Sequence, residues 1–311
     1  MASRNLYKNL TSQLASALKD FQSSSSTFRL LQTVHPTTLT PEPASPPTTH
    51  PQTLIVLDSS FNPPSTAHLT LALSALSNDS KSIKTTSGPH RLLLLFSTLN
   101  ADKAPSAASF AQRLTLMSIF ATDLQKTLQS PQYASTHAPN IPIDIGVTKA
   151  PYYTDKAAAI ATTTEGKHWY PNSPAQIHLI GFDTLTRFFA PKYYSSFDPP
   201  LSALEPYFAA GHGLRATLRP GDEFGSEEKQ RGFVRNLSEG GLEAEGGKRE
   251  WADRVELVEP TPKAGVSSTV IRKAAKAGEW RVVEDLCTGG VAWWVSEEGL
   301  YEEDDRGTKM G

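Results

Sequence analysis

The sequence predicts an α/β protein built on a doubly wound parallel sheet, with a helical extension at the N-terminus. Short runs of apolar or β-branched residues recur along the chain, and helix-like stretches separate them over about 200 residues. Strand–helix alternation of this kind is typical of a parallel sheet covered on both faces. The apolar runs are also continuous rather than alternating, which indicates strands buried on both sides.

Six runs predict the strands of this sheet: residues 53–58, 91–97, 141–147, 176–181, 213–218 and 254–259. Two of the intervening stretches show helical spacing. They are carried by Leu69, Ala72, Leu73 and Leu76 and by Phe110, Leu114, Met117, Ala121 and Leu124. Sheets of this class bind ligands beyond the carboxyl ends of their strands, so we expect the functional site at that edge.

The first 52 residues predict the helical extension. Leu6, Leu10, Leu14 and Leu18 recur every four residues, a spacing that indicates an amphipathic helix. Prolines are dense in residues 35–52 and block both helix formation and sheet pairing there. Residues 1–52 are therefore predicted to form a helix followed by a Pro-rich linker.

The main domain is predicted to cover residues 53–299 and to contain one irregular segment. Residues 221–250 are rich in Gly, Glu and Lys, which indicates a flexible insertion with a short helix around residues 227–237. The acidic residues 300–311 predict a disordered tail.

Composition narrows the classes of partner. Thirty basic residues against 32 acidic ones give a net charge of -2, which argues against a general nucleic-acid binder. The single cysteine, Cys287, excludes an internal disulfide and a Cys-rich zinc site. No apolar run reaches the ~20 residues of a membrane span.

We expect a cytoplasmic or nuclear location, with a mitochondrial one as the alternative because the Ser-rich start carries several basic residues. A homo-oligomer is neither indicated nor excluded.

The segment LDSSFNPPSTAH, at the end of the first strand, is the first site candidate. Each proline disfavours helical backbone in the residue before it, so Asn62 and Pro63 form a rigid turn, and a helix begins near residues 65–66. A helix N-terminus attracts phosphate, and His68 on the first turn adds a hydrogen-bond donor. The segment is not a Walker phosphate loop. The alternative is an ordinary strand–helix turn with a surface histidine.

The segment GVSSTVIRKAAKAGEW, after the last strand, is the second candidate. Ser267, Ser268 and Thr269 provide caps for a helix over residues 269–277, and Gly278 is a natural stop. Arg272 lies on the first turn, where a guanidinium binds phosphate oxygens bidentately. The alternative is a plain helix cap with solvated basic residues.

Together these segments resemble the two motifs of the nucleotidyltransferase superfamily. SSFNPPSTAH looks like G-[ST]-F-[ND]-P-x-H-x-G-H, and VSSTVIR looks like I-S-S-T-x-[IV]-R. The resemblance implies a Rossmann-like nucleotidyltransferase fold. Three positions depart from the pattern, since Ser59 replaces a Gly, Ser65 a His and Ala67 a Gly. The implied ATP-binding residues are Ser60, Phe61, Asn62, Ser65, His68, Gly181, Asp183, Ser267, Ser268, Thr269 and Arg272.

Intermediate segments resemble the nicotinamide/nicotinate mononucleotide adenylyltransferases, in a divergent fungal-type branch. The segment LIGFDTLTRF resembles their G-x-D-x-L, whose Gly and Asp approach the adenosine ribose. STLNADKAPSAASFAQRLTLM, APYYTDKAAAI and GLRATLRPG resemble their substrate segments. Candidates for stacking on the nicotinamide ring are Tyr152, Tyr153, Tyr193, Tyr194 and Trp169. The implied substrate-binding residues are Lys103, Arg113, Tyr153, Asp155, Tyr193 and Arg219.

The resemblance implies transfer of AMP from ATP to nicotinamide mononucleotide, or to nicotinate mononucleotide, with formation of NAD and pyrophosphate. His68, Arg272 and Lys103 would be catalytic, and Mg²⁺ would arrive with ATP because no carboxylate cage is evident. Three alternatives stay open: a regulatory protein of the same fold that binds and hydrolyses ATP, a transferase with another acceptor, and an inactive interaction module. Every reading of the site requires that the chain around His68 and around Arg272 lines one crevice.

Overall fold

A computed structural model describes residues 2–84, 86, 88–98, 108–162, 167–219, 225–260 and 267–302. It contains a single eight-stranded sheet, which confirms the predicted α/β class and its mostly parallel character. The strands are β1 (Phe28–Val34), β2 (Pro41–Pro43), β3 (Thr53–Asp58), β4 (His90–Ser97), β5 (Ile143–Thr148), β6 (Ala175–Gly181), β7 (Gly213–Thr217) and β8 (Val255–Val258). All six predicted strands are present with small shifts at their ends.

Eleven α-helices lie in the described residues and include those that the sequence predicts. They are α1 (Ala2–Ser23), α2 (Thr66–Leu76), α3 (Lys81–Lys84), α4 (Phe110–Gln129), α5 (Tyr153–Ala161), α6 (Phe182–Phe188), α7 (Glu205–Ala209), α8 (Glu227–Ser238), α9 (Ser268–Lys276), α10 (Trp280–Leu286) and α11 (Gly289–Glu297). None of them, within the part of the chain that the structure covers, is long and apolar enough to cross a membrane.

The strand order positions the site. The sheet runs β2-β1-β5-β4-β3-β6-β7-β8, and the six strands from β5 to β8 in this order are parallel. The parallel strands start at the central β3, continue outward through β4 and β5, and then return to β6 on the other side of β3. The winding direction therefore reverses between β3 and β6, and a crevice opens at the carboxyl ends of these two strands.

The N-terminal extension contains more structure than predicted. The amphipathic helix is confirmed as α1, which packs on α4 and buries Leu10, Leu14 and Leu18. The expectation that a linker follows it is wrong, because residues 28–34 form β1 and pair antiparallel with β5. Residues 41–43 form β2 on the outer side of β1, where proline is tolerated because an edge strand leaves N–H positions unpaired.

A buried ionic network anchors β1 to the parallel strands. The carboxylate of Asp144 on β5 is fully buried and accepts hydrogen bonds from Arg91 on β4 at 2.5 and 2.8 Å. It also accepts from the hydroxyls of Tyr170 at 2.8 Å and Thr33 on β1 at 2.7 Å. A buried charge is tolerated only when it is paired and its lone pairs are satisfied, and here both conditions hold.

The predicted flexible insertion is folded in its described part, residues 225–250. The short helix is confirmed as α8, and Leu237 on this helix is buried in an aromatic cluster that includes Trp251. The side chain of Gln230 accepts from the N–H of Arg219 and donates to its carbonyl, both at 2.9 Å, so α8 is tied to the segment that leaves β7. Residues 220–224 and 303–311, the latter most of the predicted tail, lie outside the described residues.

Candidate active site

The segment after β3 crosses the carboxyl edge of the sheet and enters α2. Ser59 continues the pairing of β3 because its N–H donates to the carbonyl of Leu95 on β4 at 3.2 Å. Phe61 is fully buried with a φ of +43°, and its ring centroid lies 5.1 Å from that of His68. The Asn62–Pro63 peptide bond is cis. Ser65 is the N-cap of α2, which begins where the sequence predicts.

His68 is the third residue of α2 and is held from both sides of its ring. Its Nδ1 accepts from the backbone N–H of Ser65 at 3.0 Å and lies 2.9 Å from the Ser65 hydroxyl, while its Nε2 lies 2.8 Å from the hydroxyl of Ser59. Because a backbone N–H only donates, Nδ1 must be an acceptor, so the ring hydrogen of neutral His68 is on Nε2. Burial lowers the pKa of His68 from 6.5 to about 4. His68 is therefore a neutral donor at neutral pH.

The start of α9 lies directly against this segment. Ser267 caps α9 by accepting from the N–H of Thr269 at 3.1 Å. The hydroxyl of Ser268 donates to the carbonyl of Pro63 at 2.8 Å, and Nη1 of Arg272 donates to the carbonyl of Asn62 at 2.8 Å. The structure thus brings together the two candidate segments, which lie some two hundred positions apart in the sequence. The α9 helix ends at Lys276, and Gly278 follows its C-cap with a φ of +71°.

The C-terminal end of the described chain also reaches this segment. The hydroxyl of the buried Tyr301 donates to Oδ1 of Asn62 at 2.9 Å, and Nη2 of Arg272 donates to the hydroxyl of Thr269 at 3.2 Å. Both the main-chain and the side-chain oxygen of Asn62 are therefore engaged by the C-terminal part of the chain. Ser60, two positions earlier, is exposed at the edge of the sheet.

The neighbouring strand β6 brings a second group of predicted residues to the same edge. Leu57 on β3 pairs with Leu179 on β6, so Gly181 lies beside the end of β3. Arg219 donates to Oδ1 of Asp183 at 2.8 and 3.0 Å. A Cβ on Gly181 would lie 2.6 Å from that Oδ1 and 2.8 Å from Nη2 of Arg219, so a larger residue there would displace this ion pair. The Gly and the Asp of the G-x-D segment thus form one structural unit with Arg219.

Tyr153 lies between the two groups. Burial, followed by the negative charges of Asp58 and Asp183, raises its pKa well above the ordinary value of 10. Its ring centroid is 5.4 Å from that of the buried His178. Tyr153 therefore remains a neutral phenol next to the carboxylates at the ends of β3 and β6.

Sequence reasoning missed a buried ion pair at this edge. Asp58, the last residue of β3, forms a salt bridge with Lys156 on the first turn of α5, and only 8% of each side chain is exposed. Nζ of Lys156 also lies 5.1 Å from the ring centroid of Tyr153. Asp58 could have been noticed in the sequence as a charged residue at the end of an otherwise apolar strand. Its partner Lys156 could not have been identified, because it lies 98 positions away.

Two of the predicted substrate-binding residues, Asp155 and Tyr193, line a different cavity, and a third, Arg113, is held within the fold. Asp155 and Tyr193 line a separate cavity of about 490 Å³, bordered also by Tyr152, Phe197 and His212, whose lining includes none of the crevice residues described above. Arg113 is buried at the start of α4, where its Nε donates to the carbonyl of Ala108 at 3.2 Å.

Two expectations remain, one about Lys103 and one about a metal ion. Lys103 lies outside the described residues, so its predicted role stays a prediction. Within the described residues, no group of three or more His, Cys, Asp or Glu side chains is placed to hold a metal ion.

Comparison with known proteins was informative at the level of sequence. No family model matches the chain. It is 28% identical over 228 residues to a Schizosaccharomyces pombe (strain 972 / ATCC 24843) protein named "Putative nicotinamide mononucleotide adenylyltransferase", and the alignment covers 73% of this chain and 77% of the relative. This relative confirms the resemblance to the nicotinamide/nicotinate mononucleotide adenylyltransferases.

Solved structures are similar only distantly. Plasmodium falciparum nicotinic acid mononucleotide adenylyltransferase complexed with NaAD is 14% identical with a TM-score of 0.45, and the match covers 81% of this chain and 98% of that one. The same enzyme complexed with APC has the same identity and coverage with a TM-score of 0.44. The fold assignment therefore rests on the strand order and register described above.

The low pKa of His68 predicts that the free energy of unfolding depends more steeply on pH in the wild type than in the His68→Gln variant. The unfolded chain, with this histidine near its ordinary pKa of 6.5, takes up a proton between pH 6.5 and 4 that the folded protein does not. The free energy of unfolding therefore falls as the pH falls through this window. Glutamine at the same position still accepts from the N-cap N–H but does not titrate.

Urea unfolding at pH 7 and pH 5 measures this difference. Between these pH values the wild type should lose roughly 1–2 kcal/mol more unfolding free energy than the variant. Other buried histidines contribute equally to both proteins and cancel. Parallel losses in the two proteins would mean that His68 titrates normally in the folded state.

Proposed function

We propose that the protein transfers the adenylyl group of ATP to a pyridine mononucleotide, nicotinamide or nicotinate mononucleotide, and releases pyrophosphate. The observation that carries the proposal is the contact between the two candidate segments, in which Ser268 and Arg272 bind the Asn62–Pro63 turn beside His68. The acceptor class is supported by the name of the Schizosaccharomyces pombe relative. With nicotinamide mononucleotide as the acceptor, the product is NAD.

The reaction needs no covalent enzyme intermediate. An oxygen of the acceptor 5′-phosphate attacks the α-phosphorus of ATP, and the bond from that phosphorus to the bridging oxygen breaks so that pyrophosphate leaves. The protein contributes positioning and stabilisation of developing charge. Mg²⁺ would arrive bound to the triphosphate and would neutralise charge on the pyrophosphate, because the start of α9 offers hydroxyl and guanidinium groups rather than carboxylate ligands.

His68 is proposed to donate its Nε2 hydrogen to the α-phosphate as negative charge builds there. A neutral imidazole with Nδ1 fixed as an acceptor is a committed donor at Nε2, and no proton uptake is needed before it acts. The turn formed by Ser60, Phe61 and Asn62 presents its backbone to the same phosphate.

The start of α9 is proposed to hold the β- and γ-phosphates. Ser267, Ser268 and Thr269 surround the N-terminus of a nine-residue helix, and Arg272 lies one turn further on. Helix N–H groups, hydroxyls and a guanidinium together form a donor set for a doubly charged leaving group. The carbonyl of Asn62 fixes the guanidinium of Arg272 before the nucleotide binds.

The G-x-D unit is proposed to bind the adenosine ribose. Asp183 accepts from Arg219 in the structure, so a ribose hydroxyl that reaches Asp183 shares this carboxylate with the guanidinium. Lys103, Arg113, Tyr153, Asp155 and Tyr193 remain proposed contacts of the acceptor. For Tyr153 the proposal is supported by the nearness of Asp58 and Asp183, at the ends of β3 and β6.

A donor and acceptor panel tests the proposed reaction. The protein should convert ATP and nicotinamide or nicotinate mononucleotide into the corresponding dinucleotide and pyrophosphate, detected by mass spectrometry. CTP in place of ATP, and phosphopantetheine in place of the mononucleotide, serve as controls. Formation of ADP and phosphate without any dinucleotide would overturn the proposal in favour of an ATP-hydrolysing regulatory protein.

Substitutions in the two contacting segments should slow the transfer without unfolding the protein. Losing one well-placed donor to the developing charge typically costs roughly 10²–10³-fold in rate, and we expect at least this loss for His68→Ala and for Arg272→Ala. Lys273→Ala is the matched control, because Lys273 neighbours Arg272 in the sequence but is exposed. Dinucleotide formation is measured along with thermal unfolding. Wild-type rates in both variants would remove these residues from the mechanism.

A further inference from the structure

Ser59 is a position at which this chain differs from the nucleotidyltransferase motif and gains a side-chain contact. The motif has glycine there, and glycine has no side chain to contact His68. In this chain the Ser59 hydroxyl lies 2.8 Å from Nε2 of His68. Its backbone is fixed by the hydrogen bond to Leu95, so the hydroxyl has a defined place at the end of β3.

The hydrogen bonds around His68 run in one direction. The N–H of Ser65 donates to Nδ1 of His68, which leaves the ring hydrogen on Nε2. That hydrogen is donated to the Ser59 oxygen, so His68 does not use the hydrogen of the Ser59 hydroxyl. The last member of the chain Ser65–His68–Ser59 is therefore a hydroxyl with a hydrogen to donate.

The solvent exposure of the serines around His68 indicates where the hydrogen of the Ser59 hydroxyl is directed. Ser65 has no exposed surface and lies against His68, whereas Ser59 and His68 are half-buried and Ser60 is exposed. The motif has a histidine at the position of Ser65, so the chain has lost one donor there. Of the two serines beside His68, Ser59 is the one at the rim of the crevice.

We propose that the Ser59 hydroxyl donates a hydrogen bond to the phosphoryl group that His68 contacts, and so replaces the histidine donor that the motif has at position 65 and this chain lacks. The Ser59 oxygen marks a point 2.8 Å from Nε2, so a phosphoryl oxygen that accepts the His68 hydrogen lies within reach of Ser59 as well. When the phosphoryl oxygen takes the His68 hydrogen in place of the Ser59 oxygen, the Ser59 hydroxyl turns its own hydrogen to the same group. Two neutral donors then act on one anion. The role of Ser59 in catalysis rests on the proposed function. Its role in binding a phosphoryl group does not require that the protein catalyses the reaction.

Ser59→Ala and Ser59→Gly test the inference, and Ser59→Thr is the conservative control that keeps the hydroxyl. We expect both hydroxyl-free variants to lose roughly 10- to 100-fold in kcat/KM for dinucleotide formation, with part of the loss in KM for ATP because the hydroxyl also contacts the bound phosphoryl group, and with unchanged thermal unfolding. The threonine variant should keep most of the activity. Full activity of Ser59→Gly, which restores the family residue, would overturn the inference.

Binding of ATP, AMP and adenosine, measured by calorimetry, separates this inference from the proposed reaction. Ser59→Ala should weaken the binding of ATP and of AMP but not that of adenosine, since only ATP and AMP carry a phosphoryl group. A protein that forms no dinucleotide but shows this pattern would contradict the proposed function and support the role of Ser59. Equal weakening for adenosine would show that Ser59 acts only on the structure of the turn.

A double-mutant cycle with His68→Gln completes the test. If Ser59 and His68 act on one phosphoryl group, the loss caused by Ser59→Ala should be smaller in the His68→Gln background than in the wild type. Independent, additive losses would contradict the shared contact.

Discussion

The site depends on two backbone carbonyls at the turn that follows the central strand. Those of Asn62 and Pro63 accept hydrogen bonds from Arg272 and Ser268, and this contact holds the start of α9 against the turn. The turn is itself fixed by the pairing of Ser59 with β4. Because the C-terminal helix is held by side chains that also belong to the candidate anion site, the same contacts serve the fold and the chemistry.

The crevice combines paired cations with neutral donors. Arg272 contacts the carbonyl of Asn62, Arg219 contacts Asp183, and Lys156 contacts Asp58. His68 is kept neutral by burial, which lowers its pKa to about 4. A site of this kind is ordered before any ligand arrives, so the proposed binding of a triphosphate needs little reorganisation.

The sequence predicted the parallel strands and the helix caps because these are local patterns. Apolar runs marked β3 to β8, and Ser65 and Ser267 marked the starts of α2 and α9. It did not predict β1, which is paired with the distant strand β5 and packs closely there: a Cβ on Gly146 would lie 3.1 and 3.2 Å from Phe28 and Leu30. The ion pair of Asp58 with Lys156 and the packing of α8 also depend on partners far away in the sequence, which no local pattern reveals.

Hydrogen–deuterium exchange with and without ATP tests most directly whether the turn after β3 and the start of α9 form one anion site. The account predicts that ATP slows exchange in residues 60–68 and in residues 267–276 together, and that Arg272→Ala weakens the effect in both. Protection confined to one of these segments, or to neither, would contradict a shared site.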